Sequence, residues 1–184
     1  MMTAEIEQML LGQAQQGQLD AFAALRLCLE PQVRRYIWHV IGYTPAEDDI
    51  VQDVFTAVFL NLEKITPPEK LKPFLFRVTR NRCYDLLRYE GRRDVVPLSV
   101  EMPAKTPPLE EKTHVLLLYQ QVKQAIARLP EAQRQVLVLY AEEAFSYEEI
   151  AEALEINIGT VKSRLHKARR AVKQMMQNPD LLLK

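Results

Sequence analysis

A chain of 184 residues that is 48% apolar can build one large or two small packed domains, and this composition excludes a chain too polar to fold. Lys plus Arg and Asp plus Glu each number 24, so no global basic excess advertises nucleic acid. With only 5 Gly, no alternating β-branched runs and a dominance of Ala, Leu, Glu, Gln, Lys and Arg, the expected class is all-α: two small helical domains, a flexible proline-containing linker and a C-terminal helix-turn-helix.

From the N-terminus, Gly17 ends a first helix carrying Ile6, Met9 and Leu10. Asp20 is placed to cap a second helix through Phe22, Leu25 and Leu29. Pro31 either kinks it or begins a further segment with Val33, Tyr36, Ile37 and Val40. Thr44-Pro45-Ala46-Glu47 has the form of a capping box with proline at the first helical position. The helix it opens carries a stripe of Val51, Val54, Phe55, Val58, Phe59 and Leu62, which leaves Asp49, Gln52, Asp53 and Thr56 outward.

After a loop from Glu63 to Lys72, a helix from about Pro73 to Tyr89 turns Leu75, Val78 and Leu86 inward. Arg77, Arg80, Asn81, Tyr84 and Arg88 then share the other face. Arg can neutralise phosphates and Tyr can stack an unpaired base, so this face suits nucleic acid. An ordinary solvated face is an equal alternative at this point. Pro97, Pro103, Pro107 and Pro108 mark the linker. The chain therefore divides into 1–93, a linker at 94–113, a second domain at 114–177 and a tail at 178–184.

Beyond the linker, Val115, Leu118, Tyr119, Val122, Ile126 and Leu129 mark a helix ending at Pro130, and Val136, Leu137 and Leu139 mark the next. Ser146 and Glu149 form a capping box, stapled by Phe145 and Ile150, for a helix that turns Ile150, Ala151 and Leu154 inward. Asn157 caps another helix after a short turn, the connection expected of a helix-turn-helix.

That last helix, from Thr160 to Lys173, buries Val161, Leu165, Ala168 and Val172. Lys162, Ser163, His166, Lys167, Arg169 and Arg170 are forced outward with no acid among them. Donors in its N-terminal half can reach base edges, while the flanking cations and the exposed amides at the helix start hold phosphates; Thr160 belongs to the same DNA-binding set. A basic amphipathic helix on a membrane or a protein partner is the competing reading.

No nucleophile, phosphate-cradle or metal motif stands out, and His39, His114 and His166 lack ligand spacing. No catalytic residue, metal or cofactor is expected. The two cysteines, Cys28 and Cys83, suit a reducing cytoplasm better than a disulfide framework. Met1 to Leu11 lacks a basic n-region and no apolar stretch is long enough to cross a membrane, so a cytoplasmic chain without membrane insertion is expected. A dimeric helix-turn-helix regulator would explain the C-terminal half alone.

Several runs, in order, resemble the extracytoplasmic-function (ECF) sigma factors of the sigma-70 family. They are Gly17 to Phe22, Asp49 to Phe55, Phe76 to Arg93, Leu129 to Val136, and most specifically Gly159 to Arg169. The resemblance implies that Asp49, Gln52 and Asp53 dock on the clamp coiled coil of the largest subunit of bacterial RNA polymerase core. It implies that Arg77, Arg80, Asn81, Tyr84 and Arg88 approach the minus-ten promoter element, with the loop Glu63 to Lys72 holding a flipped base. Lys162, Ser163, His166 and Lys167 would read the minus-thirty-five element. An anti-sigma factor is the further partner that the resemblance implies.

Overall fold

The computed structural model of the protein describes residues 4–89 and 112–177. Eight α-helices and no strand occur among the described residues. The first helix, α1 (Ala4–Gln15), stops because Gly17 turns the chain at φ +87, a left-handed conformation that costs glycine nothing. Its buried positions are Glu7, Leu11 and Ala14, one helical face, and Glu7 is met by Lys72 at 3.0 Å. Ile6 and Met9, two of the apolar residues that mark this helix in the sequence, are 38% and 53% exposed. Partnering lets a glutamate occupy a position that an apolar count assigns to its neighbours.

Helix α2 (Leu19–Ile41) passes through Pro31 unbroken and buries Leu25, Leu29, Val33, Tyr36, Ile37 and Val40 as one stripe. Asp20 lies in its first turn and does not cap it; Gln18 is the N-cap residue and makes no side-chain bond. Helix α3 (Glu47–Leu60) begins close to the expected place by a different device. Thr44 Oγ1 accepts from Ala46 N at 3.2 Å, while the Glu47 carboxylate accepts from Arg34 at 2.9 Å. The capping box is therefore absent, because a cation on α2 takes the carboxylate that would have closed it. Phe59 is 44% exposed and meets Phe22 edge-on at 5.1 Å, whereas Ile50 is buried.

Two short 3-10 turns, Leu62–Lys64 and Pro68–Lys70, shape the next connection. Gln15 Nε2 donates to Leu62 O at 2.8 Å and to Ile65 O at 3.1 Å, tying the first turn to α1. Helix α4 (Leu71–Tyr89) follows. Its most deeply buried positions include Leu75, Phe76, Thr79 and Cys83, while Val78 and Leu86 are only half-buried. At 100° per residue the buried stripe is rotated by roughly 60° from the one expected. The rotation arises because a second layer of helices covers that side.

That layer consists of α5 (Lys112–Ala127), α6 (Glu131–Ala141), α7 (Tyr147–Leu154) and α8 (Ile158–Gln177). The linker prolines and the tail after Gln177 lie outside the described residues. Buried Arg134 donates to Ala127 O at 3.0 Å, satisfying a carbonyl at the end of α5 that the helix itself leaves open. The capping box at α7 forms as read: Glu149 N donates to Ser146 Oγ at 3.1 Å, and Ser146 N to Glu149 Oε2 at 2.7 Å. Ser146→Ala should cost about 1 kcal/mol, measured as a lower urea midpoint at unchanged slope.

Glu155 takes the left-handed conformation at φ 55 to end α7, and Thr160 N donates to Asn157 Oδ1 at 2.7 Å to open α8. Three residues thus make the turn of the helix-turn-helix. The two halves also meet, α4 packing on α7 and α2 on α6. Phe76 stands edge-on to Tyr36 at 5.1 Å and to Phe145 at 5.2 Å, so one ring joins both cores.

Candidate nucleic-acid and partner interfaces

Helix α8 presents its cations because Val161, Leu165 and Ala168 occupy the buried positions against α5, α6 and α7. Lys162, Ser163, His166, Lys167, Arg169 and Arg170 are all exposed, and Thr160 is half-buried. They are not equally available. The Thr160 hydroxyl donates to Asn157 Oδ1 at 2.9 Å, the Ser163 hydroxyl donates to Thr160 O at 3.0 Å, and the Arg169 guanidinium lies 4.6 Å from the Tyr140 ring centroid. Lys162, His166, Lys167 and Arg170 make no ion pair among the described residues. These four form the open donor surface of the helix.

On α3 the outer face is as expected. Asp49, Gln52, Asp53 and Thr56 are exposed, with three acids in the first turn of the helix where its dipole favours them. Asp53 lies 3.5 Å from Arg82 in an exposed pair.

The expected face of α4 is divided. Arg77 lies 5.4 Å from the Phe74 ring, Asn81 is exposed, and Arg88 is exposed and bonded to Asp85. Arg80 and Tyr84 instead turn toward the second half of the chain. Arg80 Nη2 donates to Glu155 Oε2 at 2.8 Å, with its side chain only 12% exposed. The Tyr84 hydroxyl donates to Glu131 and accepts from Gln135 Nε2 at 2.6 Å. Burial first, and then the bond to Glu131, push the Tyr84 hydroxyl up to about 12.

A second polar contact crosses the same seam, and nothing in the local sequence pattern assigns it. Arg35 donates to Glu143 Oε1 from Nε at 2.9 Å and from Nη2 at 2.7 Å, while His39 Nε2 lies 3.1 Å from Glu142 Oε2. The available signal was the acidic pair Glu142 and Glu143, whose partners lie over a hundred residues earlier in the chain. The seam also leaves two buried polar atoms, Tyr36 OH and Arg80 Nε, without hydrogen-bond partners, each costing about 1–3 kcal/mol.

The two carboxyls titrate in opposite directions. Burial pushes Glu142 upward, but the hydrogen bond and charge of His39, with Arg35 and Lys123, outweigh it and hold the carboxyl below its ordinary range. Burial pushes Glu143 above that range, and Arg35 offsets it only in part.

A depressed carboxyl contributes stability above its unfolded pKa and loses it as pH falls through the folded value. A raised one does the reverse, its burial cost vanishing on protonation. Glu142→Gln should therefore lose less stability than the parent between neutral and acid pH, and Glu143→Gln more. Urea midpoints from pH 7 to pH 3 test the opposite slopes.

Burial also pushes the Cys83 thiol up to about 12, which leaves it without nucleophilic character. No metal-holding cluster of His, Cys, Asp and Glu occurs among the described residues. No helix among them is long and apolar enough to cross a membrane.

Residues 25–93 match the family model described as Sigma-70 region 2, and residues 119–172 match Sigma-70, region 4. The ECF RNA polymerase sigma factor EcfG of Rhodopseudomonas palustris is 30% identical over 145 residues, covering 78% of each chain. The chain belongs to the ECF sigma factors of the sigma-70 family. The ECF sigma factor SigW of Bacillus subtilis is 26% identical over 177 residues, covering 90% of this chain and 94% of its own. The sigma factor RpoE of Bartonella quintana, solved with the anti-sigma factor NepR, superposes with a TM-score of 0.68 at 25% identity. The match covers 85% of this chain and 97% of that one. In this sigma factor the region 2 match spans most of α2 through α4, and the region 4 match includes α6, α7 and most of α8.

Proposed function

We propose that this ECF sigma factor binds core RNA polymerase through the outer face of α3 and directs promoter-specific initiation through two DNA contacts. One is α4 with the loop before it, and the other is α8. The observation that carries this reading is the acid-free exposed cation face of α8 within the region 4 match, together with the cations Arg77 and Arg88 on α4 within the region 2 match. Asp49, Gln52 and Asp53 supply an acidic outer face complementary to a basic polymerase surface.

On this reading Lys162, Ser163, His166 and Lys167 meet base edges of the upstream element, with Thr160, Arg169 and Arg170 holding backbone. Arg77, Arg80, Asn81, Tyr84 and Arg88 meet the opened downstream element. Region 2 occupies 1–93, the linker 94–113 and region 4 114–177. The factor binds and positions, leaving catalysis to the polymerase, and works in the cytoplasm where polymerase and promoter meet. An anti-sigma factor controls it, as the RpoE–NepR complex supports for a relative of the same fold.

Run-off transcription with core polymerase tests the reading. A promoter-specific transcript appearing only when this protein is added is the expected result. Its absence on a library of genomic promoters would overturn it.

A further inference from the structure

We propose that Ser163 reads the upstream element as a hydrogen-bond acceptor, taking the exocyclic amine of an adenine or a cytosine at a single base pair. The inference rests on the reading of α8 as the upstream contact and deepens it by naming the base chemistry that one residue takes. The hydroxyl protons at the start of α8 are already spent. Thr160 N donates to Asn157 Oδ1 at 2.7 Å, so that side-chain atom is the carbonyl oxygen and holds only lone pairs. The Thr160 hydroxyl, 2.9 Å from the same oxygen, therefore donates to it. The Ser163 hydroxyl lies 3.0 Å from Thr160 O, which again can only accept, so Ser163 also gives its proton to the helix.

A hydroxyl carries one donor and two acceptor sites. With its proton committed, exposed Ser163 meets a major groove with lone pairs alone. The base-edge groups that donate there are adenine N6 and cytosine N4, whereas guanine N7 and O6, thymine O4 and the phosphate oxygens accept. Pairing with an amine keeps the bond to Thr160 O and adds another. Pairing with an acceptor breaks the first bond to make the second. The difference is one hydrogen bond, roughly two- to tenfold in affinity. Neighbouring side chains have the opposite sense: Lys162 and Lys167 can only donate, and His166 presents either sense according to its tautomer. Of the four residues placed at base edges, Ser163 is thus the one whose accepting sense is set before DNA arrives. Thr160 keeps its place beside the backbone by contact alone, with no proton left for a phosphate.

Ser163→Ala removes the acceptor and leaves the fold in place, since the side chain is exposed and alanine favours a helix. Ser163→Thr keeps a hydroxyl that can make the same bond to the carbonyl three residues back. Holoenzyme is assembled from core polymerase and each full-length protein in turn. Each holoenzyme then selects from a pool of promoter duplexes whose upstream element is randomised, and the bound fraction is sequenced.

The parent is expected to select an adenine or a cytosine at one position of one strand. Ser163→Ala should lose that preference, roughly two- to tenfold, while keeping the others, and Ser163→Thr should retain it. Replacing the selected adenine by purine, or the selected cytosine by 2-pyrimidinone, deletes the amine. That change should weaken the parent to the level of Ser163→Ala and leave Ser163→Ala as it was. A guanine or thymine at the position that Ser163→Ala releases overturns the inference, because the hydroxyl then donates. Equal weakening on every sequence overturns it by making Ser163 a phosphate contact, and an unchanged selection overturns it by leaving Ser163 no contact at all. If the parent drives promoter-specific run-off while any of those three results holds, only the role of Ser163 is wrong. If the parent drives no transcript, the sigma-factor reading fails, and this role of Ser163 with it.

Discussion

Phe76→Ala is expected to lower the unfolding free energy by about 3–5 kcal/mol, the cost of removing a fully buried aromatic ring and leaving a gap. Phe76 is 1% exposed and stands almost perpendicular to two other rings, Tyr36 on α2 at 88° and Phe145 at 86°. Edge-to-face pairs of this kind add about 0.5–1.5 kcal/mol each beyond the area they bury. Urea unfolding followed by circular dichroism measures the loss. A double-mutant cycle with Phe145→Ala isolates the contact across the seam, which should show coupling of about 0.5–1.5 kcal/mol. A loss below about 1 kcal/mol for Phe76→Ala would mean that the ring is not enclosed in solution.

Asp53→Arg is expected to weaken binding to core polymerase at least tenfold, about 1.4 kcal/mol, without a matching change in stability. Its side chain is 58% exposed and, among the described residues, its only ion pair is with exposed Arg82 at 3.5 Å, an interaction worth about 0–1 kcal/mol. Reversing its charge therefore leaves the fold in place and turns attraction to a basic partner into repulsion. Titration of labelled core with the two proteins measures the difference. Equal affinities, with both proteins folded, would move the polymerase contact off the outer face of α3.

The parts of the fold legible in the sequence were those decided within a few residues. Ser146 and Glu149 cap α7, and Asn157 caps α8, because each donor and acceptor lies three positions from its partner. The stripe of Val161, Leu165 and Ala168 fixed which side of α8 faces solvent. Asp49, Gln52 and Asp53 emerge outward for the same reason.

What could not be read was decided by distant partners. Glu47 left its expected box for Arg34 on another helix, and Glu7 entered the core because Lys72 meets it there. Arg80 and Tyr84 look solvent-facing from α4 alone. Their partners lie 75 and 47 residues further on, where no local periodicity reaches.

The double bond from Gln15 to Leu62 O and Ile65 O bears on how the connection before α4 behaves. One amide on α1 fastens both carbonyls, so the turn ahead of exposed Thr66 to Lys70 is held in shape before anything binds. A preorganised loop pays little ordering entropy on contact, and whatever it meets must fit the loop rather than mould it. On the proposed reading of this loop as part of a DNA contact, its discrimination is set in part from the first helix, by a glutamine that need touch no partner at all.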